Sequence, residues 1–156
     1  MTTSKESLDL SGWWHTHFKV ADKTAPLPPE KRPLSRAYWQ DMEDVMESFP
    51  VPSLLDAERA SSIVWQWRPV IVPEEWHNDR VILHLEGLYG TIEIYVDRTI
   101  AGQGTGHGQD LRLDLSRYLV PGKRHTLFLR FAPTPEGSKH PKRGITKGVF
   151  IARCPS

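Results

Sequence analysis

From about residue 63 onward, apolar and polar residues alternate with a period of two in one short segment after another. This alternation places apolar side chains on one face of a β-strand and polar side chains on the other. The segments are separated by turn residues such as Pro121 and Gly122, which predicts an antiparallel β-sandwich or jelly roll. The alternating apolar residues are Ile63, Trp65, Trp67, Val81, Leu83, Leu85, Ile92, Ile94, Val96, Leu111, Leu113, Leu115, Leu127, Leu129 and Phe131.

The first third of the chain follows this pattern less closely. Residues 8–20 predict a first strand, because aromatic and polar residues nearly alternate there. Residues 21–60 are rich in proline and charge and predict an irregular, partly helical connection, with one short helix or irregular insertion near residues 35–48. We therefore predict one all-β domain over residues 1–156, with its main strands within residues 61–153.

Composition narrows the classes of partner and compartment. The net charge of +1 gives no indication of a nucleic acid or an anionic membrane as partner. No stretch approaches the roughly 20 apolar residues that cross a bilayer, and the N-terminus has no apolar run of signal-peptide length. Cys154 is the one cysteine of the sequence, so an internal disulfide is excluded and a cytoplasmic location is expected.

Several short motifs follow one another in a definite order. They are Leu10-Ser11-Gly12-Trp13, Val51-Pro52-Ser53, Val64-Trp65-Gln66-Trp67-Arg68, Val72-Pro73-Glu74-Glu75-Trp76, Arg80 to Leu88, Ile94-Tyr95-Val96-Asp97, Leu113 to Gly122, Thr126 to Arg130, and Gly144-Ile145. In this order and spacing they resemble the N-terminal sugar-binding jelly-roll domain of glycoside hydrolase family 2, which includes β-galactosidases, β-mannosidases and β-glucuronidases. The resemblance implies a galactose-binding-domain-like β-sandwich.

The same resemblance argues against hydrolysis by this chain. The family cleaves glycosides with two glutamates carried on a separate (β/α)₈ barrel, and a retaining mechanism needs them about 5–5.5 Å apart. The 156 residues contain no such barrel, so glycoside hydrolase activity is not expected. Asp97-Arg98 stands where the family has an Asn-Gly turn, and residues 103–110 replace the family's loop of one histidine and two glycines.

Glycines alternate with other residues between positions 102 and 108. A phosphate-binding loop continues into a lysine and a helix, whereas a strand follows here, so a nucleotide loop is excluded. Two interpretations stay open for residues 103–110. They form a flexible turn between strands, or they form a loop that presents His107 and Asp110 to a ligand.

The polar positions of the strands provide the other candidates for function. The ligand-binding candidates are Arg68, His84, Tyr95, Gln103, His107, Asp110 and Arg130. The candidates for general acid–base catalysis are His84, Glu86, Tyr95, Asp97 and His107. The plainer interpretation is a solvated surface with cross-strand ion pairs, namely Arg68 with Glu86 or His84 with Glu93.

Two further groups favour structural roles. Trp65 and Trp67 share the apolar face with Ile63, which predicts core packing rather than a platform for sugar rings. His15 and His17 supply two imidazoles on one strand face, fewer than the three or four ligands of a zinc site. We predict no metal and no cofactor.

Three functional hypotheses follow. The first is a module that binds a carbohydrate or small sugar-like ligand without hydrolysing it. The second is a small enzyme, an acid–base lyase, cyclase or isomerase of a biosynthetic pathway, because this fold supports many chemistries. The third is an interaction subunit that docks onto a protein partner or forms a homo-oligomer.

Overall fold

The computed structural model describes residues 6–20, 45–55, 62–133 and 142–154, with the backbone alone at residues 17–20, 45–48 and 62. Its strands are β1 (Ser7–Asp9), β2 (Gly12–Val20), β3 (Val45–Val51), β4 (Ser53–Leu54), β5 (Ser62–Ile71), β6 (Arg80–Val96), β7 (Thr99–Asp114), β8 (Arg124–Phe131) and β9 (Gly144–Cys154). All the paired strands are antiparallel. A short 3₁₀ turn, Glu74–Trp76, precedes β6. The described residues thus confirm the all-β prediction, and they include no helix long and apolar enough to span a membrane.

Strand β6 organises the sheet, because it changes partner along its length. Its first half pairs with β9 and its second half with β8, while β7 runs along its other side for nearly the whole length. The strand order is β1-β9-β6-β8-β5-β2-β3, with β4 also paired to β9. Pairing with β9 ends at Tyr89 and pairing with β8 begins at Ile92, close to Gly87 and Gly90, whose φ angles are 71° and 99°. Positive φ is readily adopted by glycine, so these two residues let the strand leave one group of partners for the other.

The β6–β7 ribbon bends back over itself at these glycines. A Cβ atom placed on Gly102 would lie 2.6 Å from Leu113 Cδ1, although both residues belong to β7. Eleven residues of straight strand would separate them by about 36 Å. The ribbon therefore contributes to two layers. The first layer contains residues 80–86 and 110–114 with β9 and β1; the second contains residues 91–96 and 99–107 with β8, β5, β2 and β3.

The apolar core lies between these two layers. Buried residues from β6, β8 and β9 meet there, including Leu83, Leu85, Leu88, Ile92, Ile94, Leu127, Leu129, Phe131, Val149 and Ile151. The inward side chains of β6 have odd residue numbers up to Leu85 and even residue numbers from Leu88 onward. The reason is the register shift between Glu86 and Leu88. One extra residue in a strand moves every later side chain to the opposite face. Each face of the ribbon thus remains consistently inward or outward through the bend.

The structure differs from the sequence prediction in three places. Residues 81–86 and 92–97 were expected to form separate strands, but β6 is continuous because the chain bends rather than turns between them. The prediction of a loop at residues 103–110 is wrong, since these residues pair with β6 as part of β7. The expected first strand divides at Leu10, whose N–H donates to Val149 O at 2.9 Å. For the helix or insertion expected near 35–48, residues 35–44 lie outside the described residues, and Val45 already begins β3.

Candidate functional site

The outer face of the first layer carries a cluster of polar and aromatic residues. His84 on β6 stands opposite Arg112 on β7 and Phe150 on β9, and Ile82 stands opposite Asp114 and Ala152. Arg80 stands opposite Cys154. Directly opposed residues of an antiparallel pair project to the same side, so these side chains share one surface. The register alone brings together residues from three strands that are up to 74 positions apart in the chain, namely Arg80 and Cys154.

A cavity of about 410 Å³ opens on this surface, and we call it the outer cavity. Its lining consists of Arg80, Ile82, His84, Arg112, Leu113, Asp114, Ala152, Arg153 and Cys154. The short side chains of Ala152 and Cys154 leave room beside the long side chains of β6 and β7. Of the lining cations, Arg153 is already engaged: its Nε donates to Asp79 Oδ2 at 2.7 Å, and its guanidinium lies 5.7 Å from the Trp76 ring centroid.

An ion pair closes one side of the outer cavity. Arg80 Nε donates to Asp114 Oδ2 at 3.1 Å, and Asp114 Oδ1 accepts the Ser116 N–H at 2.9 Å. Hydrogen bonds from Ser116, followed by the smaller effect of Arg80, hold the pKa of Asp114 below its ordinary value. Both partners are about half exposed, so this pair contributes little to stability. Its effect is to fix two hydrogen-bonding groups at the edge of the cavity.

His84 and Arg112 occupy the other side. The His84 ring stacks on Phe150, with 4.5 Å between ring centroids and 7° between planes. Burial, and then the positive charge of Arg112, lower the pKa of His84, while Glu86 and Asp110 act in the opposite direction. His84 is therefore mainly neutral at pH 7. Arg112 is exposed and makes no hydrogen bond or ion pair with any residue that the structure describes.

The five candidates for catalysis do not meet in one site. His84 and Glu86 lie on the outer face of the first layer, whereas Tyr95 is buried on the second layer, where its hydroxyl donates to Glu93 Oε1 at 3.0 Å. His107 is exposed and pairs across to Tyr89. General acid–base catalysis needs its groups within hydrogen-bonding reach of one substrate, so this dispersion counts against the acid–base set.

Asp97, the fifth candidate, braces the β6–β7 turn. Its Oδ2 lies 2.7 Å from His125 Nδ1, and its Oδ1 accepts the Thr126 N–H at 2.9 Å. The Val120 N–H donates to His125 Nε2 at 3.0 Å, so Nε2 carries no proton and Nδ1 is the donor to Asp97. Asp97 itself has a φ of 55°, which the turn requires. These hydrogen bonds give Asp97 a structural role.

The remaining ligand-binding candidates are also dispersed. Arg68 donates from Nη1 to Leu10 O at 3.1 Å and from Nε to Pro69 O at 3.0 Å, and burial lowers its pKa. Arg130 Nη1 donates to Glu93 Oε1 at 3.2 Å, and its guanidinium lies 5.7 Å from the Trp65 ring centroid. Gln103 stands opposite Glu93.

Asp110 serves the bend itself, because its Oδ1 accepts the Gly87 N–H at 3.0 Å. The ion pairs expected from the sequence are wrong in both cases. Arg68 and Glu86 belong to different layers, and His84 and Glu93 lie on one strand on either side of the bend. A cross-strand pair requires adjacent strands in matching register, and neither pair has this arrangement.

Sequence reasoning missed much of the outer cavity. Arg112 and Asp114 alternate with apolar residues of their strand, but nothing in the sequence indicates that β6 places them beside Ala152 and Cys154. The alternation of Arg112 and Asp114 with Leu111 and Leu113 indicates only that these two side chains share the outer face of one strand. The pairing of β9 with the first half of β6 is a long-range contact, and the sequence gives no direct measure of it.

No group of three metal-binding side chains occurs among the described residues.

No protein-family profile matches the sequence, and no curated protein matches it closely. Among solved structures, the fold is similar to a Ruminococcus gnavus β-glucuronidase, with a TM-score of 0.72 and 16% identity over 99% of this chain and 29% of that one. For a Faecalibacterium prausnitzii β-glucuronidase the TM-score is 0.72 and the sequence identity is 15%, over 100% of this chain and 33% of that one. For an uncultured Clostridium sp. β-glucuronidase the TM-score is 0.73 and the sequence identity is 17%, over 100% of this chain and 30% of that one. The chain thus spans about a third of the length of these proteins, and the likeness shows a common fold.

Proposed function

We propose that the chain binds a carbohydrate or a sugar-like ligand without hydrolysing it, and that the outer cavity is the binding site. The observation that carries this proposal is the make-up of the cavity. Ile82 and Ala152 provide an apolar floor, while Arg80, Asp114 and Arg112 provide planar hydrogen-bonding groups around it. A sugar ring presents the same combination of apolar C–H faces and hydroxyl groups, and planar side chains pair well with adjacent hydroxyls.

The size of the cavity and the likeness of fold support the same proposal. About 410 Å³ falls within the usual range for small-ligand sites. The similar solved structures are named β-glucuronidases, and that name denotes action on a saccharide. The shared region is about a third of those chains, so the proposal for this chain is limited to binding.

Filling the cavity tests the proposal. Ala152→Leu adds bulk to the floor, and Thr105→Leu adds the same side chain on the outer face of the second layer, away from the cavity. A glycan array should identify a bound saccharide, and isothermal titration should then show binding at least tenfold weaker to the Ala152→Leu protein. The Thr105→Leu protein should bind like the original chain. Failure of every saccharide to bind, or equal affinity in both variants, would contradict the proposal.

A further inference from the structure

The positive charges of the outer cavity are unequally balanced. Arg80 is paired with Asp114, and Arg153 with Asp79. Arg112 has no such partner among the described residues, although a carboxylate lies two residues away on each side of it along β7. Both carboxylates are already hydrogen-bonded: Asp110 to the Gly87 N–H, and Asp114 to Ser116 and Arg80. Within the part of the chain that the structure describes, the donors of the Arg112 guanidinium are therefore all free to meet a ligand.

An uncommitted guanidinium selects for particular chemistry. Its planar set of donors matches the two oxygens of a carboxylate, sulfate or phosphate, and such paired bonds are stronger than those to a neutral hydroxyl. His84 stands directly across from Arg112, and both residues line the outer cavity. We propose that the outer cavity recognises the oxyanion group of an acidic saccharide, and that Arg112 binds that group. This inference rests on the proposed function, because it assigns the ligand class of the same cavity.

The proposal has a second consequence, which is a change in the protonation of His84 when the ligand binds. The charged groups that act on His84 are Arg112 and Asp110 from β7 and Glu86 from β6, while β9 presents the uncharged Phe150. A bound oxyanion offsets the positive charge of Arg112, so the pKa of His84 should rise when the ligand binds. A pKa that is higher in the complex means that binding takes up a proton, and affinity should therefore increase as the pH falls.

The experiment compares sugars that differ only in their charge. Methyl uronides, glucose 6-sulfate and glucose 6-phosphate are titrated against their neutral hexose counterparts at constant ionic strength, with inorganic sulfate and inorganic phosphate alone as further probes. Arg112→Gln removes the proposed partner, and Arg98→Gln removes an exposed arginine at the β6–β7 turn as a matched control. The His84 imidazole resonance is followed against pH with and without the best-bound sugar.

The proposal expects an acidic sugar to bind at least tenfold tighter than its neutral counterpart, with this preference lost in Arg112→Gln and kept in Arg98→Gln. Equal affinity for acidic and neutral sugars would overturn the inference and leave the proposed function standing. An equal loss in both variants would also overturn it, since that result indicates general charge attraction. Binding of free sulfate or phosphate as tightly as the sugar would overturn the saccharide assignment while keeping an oxyanion site. If no sugar of either kind binds, both proposals fail.

Discussion

The outer faces of the two layers carry the same alternation of residues and use it differently. On the second layer, Trp65, Tyr95 and Phe128 bury one another in a cluster outside the main core, and Arg130 and Glu93 pair beside it. On the first layer the corresponding positions surround a cavity, and Arg112 has no partner among the described residues. On the second layer, the aromatic rings thus pack against one another and the Arg130 guanidinium lies over the Trp65 ring. Among the described residues, the first layer presents the outer cavity and the unpaired Arg112.

The largest predicted contrast uses one phenylalanine from each outer face. Phe128 is 2% exposed and contacts Trp65 and Trp67, so Phe128→Ala should cost about 3–5 kcal/mol of unfolding free energy. Phe150 is half-buried and stacks on His84, so Phe150→Ala should cost roughly 1 kcal/mol, since less apolar area leaves water there on folding. Denaturant unfolding measures both values. Equal costs would mean that the two outer faces are packed alike.

A second contrast compares a glycine inside the bent ribbon with a glycine on the neighbouring strand β9. A Cβ atom on Gly106 would lie 2.4 Å from the backbone oxygen of Leu88, so Gly106→Ala should cost about 2 kcal/mol or more. On Gly148 the nearest atom would be Glu86 Oε1 at 3.3 Å, the far end of a flexible side chain. Gly148→Ala should therefore change stability by no more than about 0.5 kcal/mol. Thermal and denaturant unfolding test the pair, and a tolerated alanine at position 106 would contradict the tight bend.

A third contrast uses one arginine ion pair from each outer face. Arg130 is 24% exposed and contacts both Glu93 and the Trp65 ring, so Arg130→Gln should cost about 1–2 kcal/mol. Arg80 is 58% exposed, and Arg80→Gln should cost less than about 0.5 kcal/mol. Unfolding at low and at high salt separates the two, because the exposed pair is more strongly screened. A larger cost at Arg80 would reverse the comparison.

The smallest effect concerns the pH response of the first layer. The pKa of His84 is lowered by burial and by Arg112, so stability should fall as the pH drops from the ordinary histidine pKa toward the lowered one. Arg112→Gln should raise the pKa of His84 and so reduce the loss of stability at low pH. Burial should still keep the pKa below the ordinary histidine value. NMR titration of the imidazole measures the change, with Arg98→Gln as control. An unchanged His84 titration in Arg112→Gln would show that the arginine does not act on the ring.

Residue alternation predicted individual strands well, because each strand needs only its local pattern to define an inner and an outer face. It predicted β5 from Ile63, Trp65 and Trp67, and also their packing, since Trp65 is fully buried. It did not predict that this packing occurs on the outer side of the second layer. Which strand lies across from Trp65 depends on long-range pairing, and that pairing brings Tyr95 and Phe128 over it.

The alternating glycines show a similar limit. Without the fold, Gly102 to Gly108 predict flexibility, because glycine lacks the side chain that restricts other residues. In the fold, Gly102, Gly104 and Gly106 lie on the inside of the bent ribbon. A Cβ atom on them would lie 2.6 Å from Leu113 Cδ1, 3.0 Å from Leu111 Cδ1 and 2.4 Å from the Leu88 backbone oxygen, respectively. Close approach of two chain segments is a tertiary property, so the same residues belong to a paired strand instead of a loop.

The sequence by itself determined the strand character of the chain and the division of each strand into two alternating faces. These features depend on local geometry, in which neighbouring side chains point to opposite sides. The tertiary structure alone decided which outward residues meet. It placed Arg112 and Asp114 beside Ala152 and Cys154, and it separated His84 from Tyr95 and Asp97. The physical reason is that strand register is fixed by burial of the whole core, so the outer cavity follows from contacts spread over the entire chain.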